Sequence, residues 1–255
     1  MSEPILSATE AIAALAGEDN QLRYYAAWWL GKHQVQSACQ ALCDALQDER
    51  YRLEQGGYPL RRQAARSLGQ LKNPQAVPAL IAALGTEDLR LQEAVIQALA
   101  NIRDPRAVEP LLNLLKSSQE KPLEVLIEAL GTLQVWSACS WIKPFLDHPS
   151  ERVQCAAARY LYLLTKQPQY IERILKNLSH ENMYLRWAAV FDLGAISYSQ
   201  EVVQAIVAAK VPNSLKLLNL KRILDSALDN NTQDKPTQET LQLLFNTVDE
   251  LLIQL

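Results

Sequence analysis

The chain has 255 residues, with 25 basic and 28 acidic side chains and a formal net charge of −3. A charge so close to neutral argues against a basic nucleic-acid-binding face. No apolar run reaches membrane-spanning length, and the first residues lack the pattern of a signal peptide. Leucine and alanine are abundant, glycine is sparse and strand-like alternation is absent, so we expect a helical, cytosolic protein with reduced thiols.

One helical segment recurs six times along the chain. Its copies begin near residues 22, 60, 91, 122, 153 and 185, and each contains one leucine at an equivalent place: Leu30, Leu68, Leu99, Leu130, Leu161 and Leu193. These leucines are separated by 38, 31, 31, 31 and 32 residues. A period near 31 residues indicates a solenoid, in which each unit buries its apolar face against its neighbours. The sequence therefore predicts an all-α solenoid of about six HEAT-like helix pairs over residues 1–228.

The second repeat shows the elements that we expect in each unit. Helix A runs from Leu60 to Leu68, and Gly69 is predicted to end it as a left-handed cap. The dipeptide Asn73-Pro74 forms a turn before helix B. The apolar stripe of helix B then comprises Val77, Leu80, Ile81 and Leu84.

The first spacing is longer because seven residues, 51–57, are inserted after the first helix B. The Gly-Gly-Tyr-Pro sequence that follows favours a defined turn. In solenoids such insertions form loops on one edge, often a binding edge. A neutral insertion remains an alternative, because lengthening a loop costs little free energy.

The repeat pattern weakens after Leu193. Residues 201–228 predict a further helix pair, and residues 229–236 are polar and predict a linker. A last amphipathic helix is predicted at 237–253, within a C-terminal segment of residues 237–255. This helix could cap the array or dock a partner, and capping is the favoured interpretation.

Two surface positions of helix A can be compared across the repeats. The first position holds Tyr24, Arg62, Glu93, Glu124, Cys155 and Trp187. The second, four residues later on the same face, holds Trp28, Arg66, Gln97, Glu128, Arg159 and Phe191. The middle repeats are mostly polar here, whereas the first and sixth are aromatic. The aromatic pairs predict a surface for a partner or a flat ligand. Coverage of the terminal helices by capping segments is the equally weighted alternative.

Arginine recurs just after the first apolar residue of helix A, as Arg23, Arg61 and Arg186. Recurrence favours a structural role, with hydrogen bonds to neighbouring acids. Among first-position residues, only Arg62 is basic, so Arg61 and Arg62 form a candidate clamp for carboxylates. Asp192 occupies a position that is small or aromatic in the other repeats. This carboxylate is a candidate functional group, or it only pairs with an arginine.

The cysteines and histidines show no catalytic or metal-binding pattern. Cys39 and Cys139 align with valines of other repeats and are predicted to be small core residues. Cys43 follows Cys39 by one helical turn without completing a metal set. Cys155 is predicted to be the only exposed thiol, and His33 to be a hydrogen-bonded residue at the edge of the core. The residue chemistry alone therefore indicates a scaffold or binding module.

Three segments are more specific than a generic repeat: LRYYAAWWLGK at 22–32, GGYPLRRQAARSLG at 56–69 and RVQCAAAR at 152–159. They resemble the E subunit of the E/F-type phycobilin lyases, and the resemblance extends over roughly residues 10–228. It implies a cyanobacterial or red-algal enzyme subunit that pairs with a HEAT-like F subunit. The pair attaches a linear tetrapyrrole, phycocyanobilin, through a thioether to a cysteine of a phycobiliprotein α-subunit. The phycocyanin lyase and the phycoerythrocyanin lyase-isomerase, which yields phycoviolobilin, are both consistent, and the compact length leans towards the latter.

The resemblance also implies roles for the unusual residues. The bilin would be a substrate, with no tightly bound cofactor and no metal. Arg61 and Arg62 would bind its two propionates. Asp192 would bind the pyrrole N–H groups, and catalysis would fall to Asp192 and Arg62. The conjugated rings would stack on aromatic residues: Tyr24, Trp28, Trp29, Tyr58 and Trp187. The alternative is a non-catalytic HEAT-repeat adaptor or chaperone in phycobilisome assembly.

Overall fold

The computed structural model describes residues 7–196, 199–228 and 237–254. Within them the chain forms helices joined by short loops and 3₁₀ turns, and no strand occurs in these ranges. The helices are α1 (Ala8–Leu15), α2 (Asn20–Lys32), α3 (Cys39–Ala45), α4 (Pro59–Leu71), α5 (Val77–Ala83), α6 (Leu89–Ile102), α7 (Val108–Lys116), α8 (Leu123–Thr132), α9 (Cys139–Ile142), α10 (Glu151–Thr165), α11 (Pro168–Asn177), α12 (Met183–Leu193), α13 (Gln200–Ala208), α14 (Asn213–Leu228) and α15 (Gln238–Ile253). The predicted linker at 229–236 lies outside the described residues.

The chain divides into two compact units, Met1–Trp141 and Ile142–Leu255. In the first unit the A helices α2, α4, α6 and α8 pack side by side in chain order, with helices α3, α5 and α7 as their B partners. In the second unit α10, α12 and α14 pack in the same way. Both units are therefore stacks of helix pairs, as the period of the leucines predicts.

Gly69 does not end its helix, contrary to the prediction. Helix α4 continues for two more residues, and the left-handed cap is Lys72, with φ of +54°. A Cβ atom at Gly69 would stand 2.8 Å from the Cα atom of Ala98 on α6. The glycine therefore allows two A helices to approach closely. Gly31 has the same role on α2, where a Cβ atom would stand 2.7 Å from the Cβ atom of Ser67.

A recurring hydrogen bond ties each A helix to a carbonyl near the end of the helix before it. A side chain in the first turns of helix A, or just before it in the case of Lys121, donates in every repeat: Arg23 to Leu15, Arg61 to Leu46, Gln92 to Leu84, Lys121 to Leu114, Gln154 to His148, Arg186 to His180 and Lys216 to Val207. The donor–acceptor distances range from 2.6 to 3.0 Å. The structural role predicted for the recurring arginines is confirmed. Their common partner is a carbonyl, although Arg23 also pairs with Asp48 and Arg61 with Glu49.

The C-terminal helix continues this pattern. The bond from Lys216 makes α14 the A helix of a seventh repeat, which agrees with the helix pair predicted at 201–228. Helix α15 packs against α13 and α14 and buries Leu244, Thr247 and Leu251. It therefore covers the last repeat, as a capping helix does.

Three side chains differ from their predicted surroundings. Cys155 is buried, and its sulfur accepts a hydrogen bond from Asn177 Nδ2 at 3.1 Å. Burial, with a smaller contribution from the charge of Asp192, raises the pKa of Cys155 to about 11. Cys139 was predicted to be a core residue, but it is only partly buried, whereas the other three cysteines are buried. His33 is exposed at the end of α2 and stacks on Trp29, so it is not a core-edge histidine.

Candidate functional site

The inserted loop forms a defined turn, as its Gly-Gly sequence predicts. The N–H of Gly56 donates to the carbonyl of Leu53 at 2.9 Å, and the N–H of Leu53 donates to the carbonyl of Gly57 at 3.1 Å. Gly56 and Gly57 have φ values of +83° and +97°, which residues with a side chain rarely adopt. The turn leads directly into Pro59 at the first position of α4.

This loop forms one wall of an open groove of about 890 Å³. The start of α4 and the segment at 82–90 form the other walls. The groove has four arginines and two acids among its lining side chains: Arg52, Arg61, Arg62, Arg90, Glu87 and Asp88. The insertion therefore builds a concave, basic surface on one edge of the first unit.

Tyr58 stands at the centre of this groove wall. Its ring lies 4.6 Å from the Arg61 guanidinium and 5.6 Å from that of Arg52, both within cation–π range. Its backbone N–H donates to Asp88 Oδ2 at 3.1 Å. Tyr58 and Arg61, predicted from sequence to bind one ligand, thus lie side by side.

The two adjacent arginines already have protein partners. Arg62 donates from Nε and Nη2 to the two carboxylate oxygens of Asp88, at 3.0 and 2.8 Å. Arg61 donates from Nη1 to Glu49 at 2.9 Å, besides its bond to the Leu46 carbonyl. The sequence predicted this pair as a clamp for the carboxylates of a ligand, whereas each guanidinium bonds a carboxylate of the chain itself.

Asp88 organises this part of the groove. Its Oδ1 atom caps α6 by accepting from the backbone N–H groups of Arg90 and Leu91, both at 3.1 Å. Burial raises the pKa of Asp88, but the hydrogen bonds from Arg62 and the backbone outweigh burial, and the net pKa lies below its ordinary value. Sequence reasoning missed Asp88, because its partner Arg62 is 26 residues away.

The aromatic residues predicted on α2 lie partly at the surface. Tyr24 is 37 % exposed, while Trp28 and Trp29 are half-buried. The Trp28 ring lies 5.4 Å from the ring of Tyr25 and 4.7 Å from the Lys32 ammonium. None of them lines the groove at Tyr58, so the first unit presents two separate candidate surfaces.

In the second unit, Asp192 is buried between arginines. It is 2 % exposed, and its oxygens lie 3.0 Å from Arg152 Nη1 and 3.7 Å from Arg159 Nη1. The structure therefore matches the alternative in which Asp192 pairs with arginine. Trp187, on the same helix, is half-buried and meets the exposed ring of Tyr184 edge-on at 6.1 Å. The comparison of equivalent positions among the repeats did not identify Tyr184, although Tyr184 lies one helical turn before Trp187.

The stacked helix pairs define an α-solenoid of HEAT repeats. Residues 52–131 match a family model described as HEAT repeats, and residues 22–48 match one described as PBS lyase HEAT-like repeat. No helix among the described residues is long and apolar enough to span a membrane.

Comparison with characterised proteins identifies the family. The chain is 70 % identical to "Bilin biosynthesis protein PecE" of Mastigocladus laminosus, over all of this chain and 98 % of the relative. It is 42 % identical to "Phycocyanobilin lyase subunit alpha" of Nostoc sp. PCC 7120, over 98 % and 95 % of the two chains. The solved complex of CpcE and CpcF of phycocyanin lyase, from the same Nostoc strain, contains a chain that matches with a TM-score of 0.85 and 42 % identity, over 98 % and 97 % of the two chains. The chain belongs to this family of bilin lyase subunits.

Proposed function

We propose that the chain is one subunit of a heterodimeric bilin lyase. With an F-type partner, it attaches phycocyanobilin through a thioether to a cysteine of a phycobiliprotein α-subunit. The observation that carries this proposal is the 0.85 TM-score, at 42 % identity, to a chain of the solved CpcE–CpcF complex of phycocyanin lyase. The enzyme acts in the cyanobacterial cytosol, where both the bilin and the acceptor thiol are available.

The reaction adds the acceptor thiol across the ethylidene double bond of bilin ring A. The sulfur forms a bond to one carbon, and the hydrogen of the thiol goes to the other carbon of that double bond. The nucleophile belongs to the substrate protein, so the buried Cys155 of this chain has no part in the step. The chain contributes binding and orientation, which lower the barrier by holding the reactants in a productive geometry.

The candidate residues divide this work. Tyr24, Trp28 and Trp29 on α2 offer ring faces and edges for stacking against the bilin, as does Tyr58 in the groove. Trp187 offers a further aromatic surface in the second unit. Arg61 and Arg62 shape the groove wall, with their guanidinium groups held by Glu49 and Asp88. Asp192 is a positioning residue, because its buried carboxylate pairs with arginine side chains of α10. These ion pairs stabilise the helix that carries Trp187.

The phycoerythrocyanin branch is the finer proposal. Identity is 70–71 % to the PecE relatives and 39–44 % to the phycocyanobilin lyase α-subunits. This difference supports a lyase-isomerase, whose product is phycoviolobilin bound to the α-subunit of phycoerythrocyanin.

Reconstitution in a heterologous host tests both levels of the proposal. The chain is co-expressed with its F partner, the apo-α-subunit and the enzymes that make phycocyanobilin. A covalent adduct that fluoresces with zinc supports the lyase, and its absorption maximum distinguishes simple attachment from isomerisation. Attachment at the same rate without this chain would overturn the lyase assignment and support the adaptor alternative.

Site variants test the division of work within the same assay. Trp28→Ala should lower the rate of transfer about fivefold, since stacking against one aromatic side chain is worth on the order of 1 kcal/mol. Trp141→Ala is the matched control, because Trp141 is 52 % exposed on a B helix of the same unit. Arg62→Ala and Asp192→Ala should also lower transfer while the helix content persists. Unchanged transfer would remove the residue concerned from the site.

A further inference from the structure

The groove beside the inserted loop has four arginines, and carboxylates among the described residues pair with two of them. Arg62 is neutralised by Asp88, and Arg61 by Glu49 outside the groove. Arg52 and Arg90 make no ion pair or side-chain hydrogen bond with any residue that the structure describes. Glu87 is the remaining acid of the groove, and it pairs with neither of them.

These two arginines come from different walls. Arg52 belongs to the inserted loop, and its guanidinium lies 5.6 Å from the centre of the Tyr58 ring. Arg90 lies in the first turn of α6, where Asp88 fixes the backbone by accepting from its N–H group. Both side chains are exposed, so both guanidinium groups are accessible to a ligand in the groove.

The residues between them are held rigidly. The Arg62 guanidinium bonds both oxygens of Asp88 and lies against Gly57, where a Cβ atom would overlap it. Asp88 also fixes the backbone of Tyr58 at 3.1 Å. The floor of the groove is therefore preorganised, and displacing Arg62 towards a ligand would leave the carboxylate of Asp88 unpaired.

We propose that Arg52 and Arg90 bind the two propionate groups of the bilin, with Tyr58 beside its conjugated chain. This inference rests on the proposed function and moves the carboxylate contacts from the Arg61–Arg62 pair to the two unpaired arginines. Guanidinium groups bind carboxylates through paired, charge-assisted hydrogen bonds. A groove of about 890 Å³ lies within the range of small-molecule sites. Two separate cations suit a ligand whose two carboxylates stand on separate, flexible arms.

The test compares free phycocyanobilin with its dimethyl ester, which lacks both carboxylates. Binding of each compound to the complete heterodimer is measured from the change in bilin absorbance. The wild type should bind the free acid about tenfold more tightly than the ester. The double variant Arg52→Gln/Arg90→Gln should bind the two compounds equally. The control is Arg103→Gln, because Arg103 lies outside the groove. Arg103 has a left-handed backbone conformation that glutamine also adopts in this chain, at Gln34 and Gln134, so the substitution should not strain the backbone. The control variant should keep the wild-type preference for the free acid.

Three results would overturn this inference. One is a double variant that retains the preference for the free acid. A second is the same unchanged binding together with slower transfer of bilin, since the groove would then recognise carboxylates of the acceptor protein. Transfer by the wild-type heterodimer is measured in parallel and reports the proposed function separately. Wild-type transfer without any preference for the acid would reject the propionate contacts and leave the lyase assignment intact.

Discussion

Replacement of Asp88 by asparagine isolates the ion pair that shapes the groove. Asparagine caps helices as well as aspartate does, so Oδ1 can still accept from the N–H groups at the start of α6. The variant loses the negative charge, and one acceptor oxygen becomes an NH₂ group. That group then faces the Nε–H of Arg62 and the backbone N–H of Tyr58, both of which are donors.

The size of the effect follows from the burial of the pair. Removing one partner of a fully buried ion pair costs about 3–5 kcal/mol. Asp88 is 7 % exposed and Arg62 is 18 % exposed, so water can partly solvate the freed guanidinium. The expected loss is therefore about 2 kcal/mol. At about 2–4 °C per kcal/mol for a chain of this size, the Tm should fall by about 4–8 °C.

Thermal unfolding followed by circular dichroism at pH 7 measures this loss. Asp104→Asn is the matched control. Asp104 also caps a helical turn, Pro105–Ala107, and also pairs with an arginine, but that arginine, Arg106, is 52 % exposed, so the ion pair should contribute little to stability. The control variant should have the same Tm as the wild type. Combining Asp88→Asn with Arg62→Gln should add little to the single change, because both remove the same interaction. Equal melting temperatures for the Asp88 and Asp104 variants would refute the reasoning.

Three further results are expected. Gly69→Ala should destabilise the chain by about 1 kcal/mol, since the close contact of the new Cβ atom with Ala98 outweighs the gain in helix propensity. Gly85→Ala should not destabilise the chain, because a Cβ atom there would meet no other atom within 4 Å. Denaturant midpoints of the two variants measure this, and equal midpoints would contradict it. In the native protein, Cys155 should resist iodoacetamide at pH 8, because it is buried and its pKa is raised to about 11, and Cys139 should react first. Mass spectrometry of peptides locates the label, and early labelling of Cys155 would contradict the structure. Because the pKa of Asp88 is lowered by folding, its contribution to stability should be complete above about pH 4 and be lost as the pH falls further. The free-energy difference between the wild type and Asp88→Asn should therefore shrink between pH 4 and pH 2, and a constant difference would exclude this linkage.

The repeat architecture could be predicted because it depends on local periodicity. The 31-residue spacing of the leucines identifies each A helix, and the same comparison identifies Tyr24 and Trp28 as departures from a polar surface. It also assigns Arg23 and Arg186 to the scaffold, which the hydrogen bonds to backbone carbonyls confirm. The prediction that Gly69 caps its helix was wrong. A glycine near a helix end suggests a cap, and only the packing against Ala98 on the next A helix shows that Gly69 permits close approach instead.

The sequence by itself determined the class of fold, the family and the insertion that makes the first repeat different, because these depend on residue type and spacing along one chain. Only the tertiary structure decided which charged groups are free. Arg62 finds its carboxylate 26 residues away, and Arg152 reaches Asp192 40 residues away, across packed helices. Ion-pair partners are chosen by how neighbouring repeats stack and by how the inserted loop folds over them. That choice commits Arg61 and Arg62 to the protein and leaves Arg52 and Arg90 for a ligand.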